Sequence, residues 1–135
     1  MIVLANDGIS EKGIQLLKEA DITVLDARVS AEHLSNFINE NNVDVLLVRS
    51  ATQVRKNLID ECPNLKIIGR GGVGMDNIDV DYAIDKGIYI INTPKASCKS
   101  VAELVFAHFF SLARFLHESN RLMPLEGETK FNTLK

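Results

Sequence analysis

The stretch Val43-Asp44-Val45-Leu46-Leu47-Val48, running straight into Arg49-Ser50-Ala51-Thr52, decides the fold. It is of strand length, almost wholly apolar, and ends abruptly in polar residues. An apolar run without in–out alternation suits a strand buried on both faces, which parallel sheets require. Four more such runs flank it: Ile2 to Ala5 and Ile22 to Leu25 before, Leu65 to Ile68 and Ile88 to Ile91 after. The segments between them have helical spacing. Ile9, Ile14, Leu16 and Leu17 line the first. Leu34, Phe37 and Ile38 line the second, with Ser30 as its N-cap, and Val54, Leu58 and Ile59 mark a third that ends before Pro63. A short fourth runs from Asp79 to Gly87, where glycine suits a left-handed C-cap. A long fifth starts near Ser100, whose spacing to Glu103 matches a capping box. Five strands alternating with five helices predict an α/β fold: a flavodoxin-like parallel sheet in the order 2-1-3-4-5, with helices on both faces.

The 135 residues are 46% hydrophobic and 24% charged, with a net charge of -3, which excludes disorder and gives no basic stripe. No nucleic-acid and no membrane partner is therefore expected. The start, Met1-Ile2-Val3-Leu4-Ala5-Asn6-Asp7, lacks the basic opening of a signal peptide, so a cytoplasmic location is expected. Two cysteines, Cys62 and Cys98, suggest neither a disulfide framework nor a metal site.

Ligands of open α/β sheets bind outside the carboxyl ends of the strands. Those ends read Asn6-Asp7-Gly8, Arg49-Ser50-Ala51-Thr52, Gly69-Arg70-Gly71-Gly72-Val73-Gly74 and Asn92-Thr93-Pro94. Arg49 and Arg70 thus stand at neighbouring strand ends, each offering a flat charged fork to carboxylate or phosphate oxygens. The glycine stretch between them can turn backbone N–H groups onto an anion. On pattern alone two readings stand side by side. One is an anion site; the other is a tight turn with surface arginines neutralised by Asp7, Asp76 or Asp79. Asp7 itself reads as a turn former.

Gly69, Gly71 and Gly74 match G-x-G-x-x-G after a strand. The dinucleotide fingerprint opens a helix at once, however, and here Met75-Asp76-Asn77-Ile78-Asp79 intervenes. The following strand ends in Asn92, where an acidic residue should grip a ribose. The match is rejected as a main NAD site. His33 reads as a surface residue, and His108 and His117, nine apart, do not pair for a metal. No residue is a convincing general acid or base, so no catalytic and no metal-binding residue is assigned.

From Val101 to Leu116 apolar residues occupy nearly every direction around a helix axis. Such a helix expects cover on several sides, from a second domain, a second subunit or both, unless it is the central core helix of this domain. The segment from His117 to Lys135 reads as a polar tail.

Arg49-Ser50-Ala51-Thr52, the stretch from Gly69 to Asp79, Asn92-Thr93-Pro94 and Ser100-Val101-Ala102-Glu103-Leu104 together resemble the N-terminal part of D-2-hydroxyacid dehydrogenases. The resemblance spans the whole chain. It implies a substrate-binding domain over residues 1–99 and, over residues 100–135, a crossover helix and tail leading to a nucleotide-binding domain. It implies a small anionic substrate held by Arg49, Ser50 and Arg70, with Arg49 and Arg70 suited to a phosphate. The backbone from Gly71 through Gly72 and Val73 to Gly74 would hold the substrate carboxylate. Val73 would also touch the nicotinamide end of NAD, whose main binding site lies outside this chain. The 100–116 helix would join a homodimer. The family's catalytic Arg, Glu and His are absent from the chain, which alone is expected to be inactive. Lys95-Ala96-Ser97 departs from the Gly- and Asn-bearing loop common in the family, and contacts there are open. Outside the family, a phosphoryl receiver domain would need a carboxylate where Arg49 stands. A free-standing anion-binding module would have no reason for the uncovered helix.

Overall fold

The computed structural model describes residues 1–126. Its first compact unit, Met1–Ala96, contains β1 (Ile2–Ala5), α1 (Glu11–Glu19), β2 (Thr23–Leu25), α2 (Ala31–Glu40), β3 (Val45–Val48), α3 (Lys56–Glu61), β4 (Ile67–Arg70), α4 (Val80–Asp85) and β5 (Tyr89–Asn92). All pairings are parallel and the order is β2-β1-β3-β4-β5, as the alternation predicts. Because the chain reverses its direction of travel after β2, right-handed crossovers set α1 on one face and α2, α3 and α4 on the other.

Register explains the core. Leu4, Leu46, Ile68 and Ile90 lie side by side across four strands. The first three are fully buried and meet Leu34 and Ile38 of α2, Leu58 and Ile59 of α3 and Ala83 of α4. Each large aliphatic side chain removed from water there stabilises the fold by about 1.5–3 kcal/mol. One residue further along each strand the side chains change face. That second row is Ala5, Leu47, Gly69 and Ile91.

The elements start and stop for local reasons. Ser10 caps α1 by accepting from Gly13 N–H at 3.2 Å. Ser30 stands at the N-cap of α2, but its hydroxyl contacts His33 Nδ1 at 3.0 Å and makes no bond to the helix backbone. Gly87, at φ +81°, turns the chain out of α4 into β5.

Three expectations need correction. The fourth strand is Ile67–Arg70, two residues later than the apolar run suggests, because glycine is accommodated inside the sheet. A Cβ at Gly69 would lie 2.6 Å from Leu47 Cδ2 and 3.3 Å from Ile91 Cγ1, so its neighbours already fill that space. The glycine loop therefore begins at Gly71.

The fifth helix, α5, spans Cys98–Ala113, so Ser100 lies inside it and forms no cap. Glu103 pairs instead with Lys99 at 3.8 Å.

The expected polar tail contains a further helix, α6 (Leu116–Glu126), separated from α5 by Phe115 at φ +52°. The tail beyond residue 126 lies outside the described residues. These two helices belong to a second unit that begins at Ser97. No side chain of α5 is buried, so it is not a core helix; Val101, Leu104, Val105, Phe106, Phe109 and Phe110 are all more than half exposed. Among the described residues no helix is long and apolar enough to cross a membrane.

Candidate anion-binding site

The strand order reverses between β1 and β3, which opens a crevice at their carboxyl ends. A cavity of about 700 Å³ lies there. Its floor is the Leu47, Gly69 and Ile91 row, and its rim carries Asp7, Arg49 and Arg70.

The Arg49–Thr52 loop is held from two sides. The Asp7 carboxylate accepts from Arg49 N–H at 2.6 Å, Thr52 N–H at 3.1 Å and the Thr52 hydroxyl at 2.7 Å. Partial burial pushes the Asp7 carboxyl up, but the bonds from the Thr52 hydroxyl and the loop amides prevail and hold it below the ordinary carboxylate range. On the other side, buried Asn77 donates from Nδ2 to the carbonyls of Arg49 at 2.8 Å and Thr52 at 2.7 Å. Buried Asn6 donates to the Thr52 hydroxyl at 2.8 Å. The backbone of Arg49 is thus fixed at both its N–H and its C=O. Its guanidinium enters no ion pair among the described residues, and neither does that of Arg70.

Two of the three carboxylates that were candidates to neutralise them, Asp7 and Asp79, have other partners, and Asp76 pairs with neither arginine among the described residues. Asp79 binds Arg55 at 3.0 Å, and this guanidinium, with the Lys56 N–H, holds its carboxyl below the ordinary range despite some desolvation. Asp7 engages backbone and hydroxyl donors, not the Arg49 fork. Asp76 lies beside Gly74, with Oδ1 3.0 Å from where a Cβ would stand.

Arg70 is half-buried, and its guanidinium lies over Gly72, where a Cβ would overlap it. Its Nε is buried without a partner, as is Asn77 Oδ1. Such open valences are rare and tend to persist where function retains them. Gly72→Ala is therefore expected to push the Arg70 fork away and to weaken binding of a phosphorylated ligand roughly fivefold or more, since a bond to a charged group is worth about 1.5–3 kcal/mol. Isothermal calorimetry checks this; unchanged affinity would remove Arg70 from the site.

The glycine loop presents fewer free amides than the sequence suggests. Gly71 N–H binds Val48 C=O at 2.9 Å and Gly72 N–H binds Arg70 C=O at 2.9 Å. The N–H groups of Val73 and Gly74 have no partner among the described residues. From β5, Asn92 Nδ2 donates to Val73 C=O at 2.8 Å and Thr93 N–H to Gly72 C=O at 3.1 Å, so the loop is anchored.

The structure brings Arg49, Arg70 and Gly71 onto one cavity. Ser50 lines a smaller adjoining one, and Gly72, Val73 and Gly74 lie outside the lining of both. Sequence reading missed Asp7, Asn6 and Asn77 as the residues that set the loop. The available signal was their position: Asn6 and Asp7 directly follow β1, at the strand-order reversal.

The described residues offer a dinucleotide little. The glycine loop leads into no helix, since α4 begins only at Val80 and has six residues, and two of the loop's amides are engaged internally. The pyrophosphate of a dinucleotide does not fit here. Val73, half-exposed, is an apolar contact at most. Cys62 is buried in the core, and that burial, helped by Glu61, pushes its thiol up to about 11, which disfavours the thiolate.

A parallel sheet thus carries, at its switch point, a crevice with two arginines on its rim. Residues 2–132 match the family model described as the catalytic domain of D-isomer specific 2-hydroxyacid dehydrogenases, and the chain belongs to that family. It is 44% identical over 134 residues to a protein named hydroxypyruvate reductase of Thermotoga maritima, covering 98% of this chain and 43% of that protein. It is 41% identical over 112 residues to a protein named D-3-phosphoglycerate dehydrogenase of Methanocaldococcus jannaschii, covering 83% of this chain and 21% of that protein. Among solved structures it resembles the NAD+-bound 3-phosphoglycerate dehydrogenase of Entamoeba histolytica, with a TM-score of 0.64 and 26% identity over 82% of this chain and 38% of that one. The chain spans less than half the length of the relatives it matches.

Proposed function

We propose that this chain is the substrate-binding portion of an NAD-dependent D-3-phosphoglycerate dehydrogenase, which oxidises 3-phosphoglycerate to 3-phosphohydroxypyruvate at the entry to serine biosynthesis in the cytoplasm. Two guanidiniums on one switch-point cavity, without ion-pair partners among the described residues, carry this reading. Arg49 and Arg70 grip the phosphate in the cavity, and the carboxylate extends past its lining to the open amides of Val73 and Gly74. NAD would be held mainly by residues outside this chain, and when bound it would supply a hydride acceptor for the C2 hydrogen of the acid. The chain's own residues bind and orient the acid and perform no proton transfer, so the chain alone is inactive. The exposed apolar surface of α5 supports a homodimer through that helix.

The second reading, a glycerate or hydroxypyruvate reductase of the same family, is favoured by the similarity to the Thermotoga protein. Calorimetry on the 135-residue chain separates the two. The phosphoglycerate reading expects 3-phosphoglycerate to bind about tenfold or more tighter than glycerate, because the phosphate adds charge-assisted bonds to arginine. Equal affinities transfer the assignment to the reductase. The same chain is expected to show no heat of NAD binding at sub-millimolar cofactor. Clear binding would restore Gly69, Gly71 and Gly74 as a dinucleotide site.

A further inference from the structure

We propose that Arg28, Arg49 and Ser50 form a second oxyanion subsite, which takes a free phosphate-type anion and shares Arg49 with the larger cavity. A separate cavity of about 460 Å³ lies beyond Asp7, between the loop after β2 and the end of β3. Arg28, Arg49 and Ser50 line it, together with Asp7, Asp26 and Gly8. Asp7, Gly8 and Arg49 also line the larger cavity, so the two adjoin along the Arg49 side chain.

Arg49 is anchored by its own backbone and Arg28 through that of its neighbour. Val29, next to Arg28, is clamped at both ends by buried Asn6. Its N–H donates to Asn6 Oδ1 at 2.8 Å, and its C=O accepts from Asn6 Nδ2 at 3.2 Å. The same Nδ2 donates to the Thr52 hydroxyl at 2.8 Å, which ties the Arg28 loop to the Arg49 loop through one buried amide. Two cation-bearing loops are thereby held in fixed relation, which lowers the ordering cost of gripping one anion between them.

The charges agree with this use. Arg28, like Arg49, enters no ion pair among the described residues, although Asp26 lies on its own loop. The Asp7 carboxylate, the other negative group in the cavity, already receives three donors from the Arg49–Thr52 loop. Asp26 and the ionised Asp7 oppose an anion; Asp26 and Arg28 are both exposed, so solvent screens that opposition and the attraction of Arg28 alike, and the donors already on Asp7 offset part of its charge. The hydroxyl of Ser50 supplies a neutral donor beside the two forks. The subsite goes beyond the proposed reaction and requires no hydroxy acid. When filled, it draws the Arg49 fork toward itself, so a free phosphate competes with the phosphate end of a ligand in the larger cavity.

The test is a titration of the full chain with inorganic phosphate, followed by amide chemical shifts. Shifts are expected at Arg28, Val29, Ser50 and Ala51. Arg28→Gln is expected to weaken the phosphate affinity read there about fivefold or more, as loss of a charge-assisted bond requires. Lys18→Gln, which changes net charge equally on α1, is expected to leave it within a factor of about two, because exposed charges at a distance are screened. Shifts confined to the Gly69–Gly74 side, equal losses in the two variants, or no shift at tens of millimolar phosphate would each overturn the subsite. Phosphate shifts at Arg28 that vanish in Arg28→Gln, in a chain that binds neither 3-phosphoglycerate nor glycerate, would uphold the subsite and reject the proposed function.

Discussion

Arg49→Ala is expected to weaken binding of 3-phosphoglycerate to this chain by about 10- to 100-fold, the effect of losing bonds to a charged group worth roughly 1.5–3 kcal/mol. The fold should survive the change. The Arg49 side chain is exposed, and both backbone groups of residue 49 keep their partners, Asp7 at the N–H and Asn77 at the C=O. What disappears is the guanidinium alone. Glycerate, which has no phosphate, is expected to lose less than about threefold, because the proposed function assigns its carboxylate to loop amides and not to the fork. Arg49→Lys should fall between the two, since an ammonium supplies charge without the planar fork. Paired calorimetric titrations of both ligands give the answer. Equal losses for the two acids would show that Arg49 reads the carboxylate, and the phosphate assignment would fall.

Asp7→Ala is expected to harm both stability and binding. It strands two amides and a hydroxyl that now bond to the carboxylate. Water reaches part of this region, so the cost belongs toward the lower part of the usual range, about 1–2 kcal/mol, or roughly 3–10 °C in melting temperature. The freed Arg49–Thr52 loop should also lose affinity for 3-phosphoglycerate while glycerate is less affected.

The pH dependence has a fixed sign. The folded carboxyl of Asp7 lies below its ordinary value, so its stabilisation is fully present above the unfolded range and is lost as pH falls through the folded pKa. Asp44, Asp60 and Asp79 are shifted the same way, each chiefly by a hydrogen bond from a basic side chain: Lys66, Lys86 and Arg55 respectively. The chain should therefore lose stability on acidification below the ordinary carboxylate range. Asp7→Asn should show a shallower loss than the parent when denaturant midpoints are compared across that window. Identical acid profiles would mean that the Asp7 bonds do not hold the loop.

Much of the fold was legible because parallel strands, covered on both sides, leave apolar runs that periodicity detects. Val43 to Val48 and Ile2 to Ala5 are of this kind, and they located β1 and β3 closely. Glycine defeated the same reading at β4. Gly69 and Arg70 look like loop residues, yet strand pairing admits a glycine where Leu47 and Ile91 close over it. The break between α5 and α6 was hidden for a different reason. Phe115 at positive φ has no glycine or asparagine to announce it.

Within the site, charge marked Arg49 and Arg70 as soon as the strand ends were known. Their supports were not visible. Asp7 resembled an ordinary turn residue, and Asn77 sits inside a loop whose partners, Arg49 and Thr52, lie more than two dozen residues earlier. Side-chain bonds across such separations follow from the strand order and cannot be seen in local pattern.

A crystal structure of this chain with 3-phosphoglycerate tests the central claim most directly. The account predicts the phosphate within hydrogen-bond distance of both the Arg49 and Arg70 guanidiniums, with the carboxylate on the amides of Val73 and Gly74. Guanidiniums facing away from each other, with the ligand bound elsewhere or on one of them alone, would contradict it.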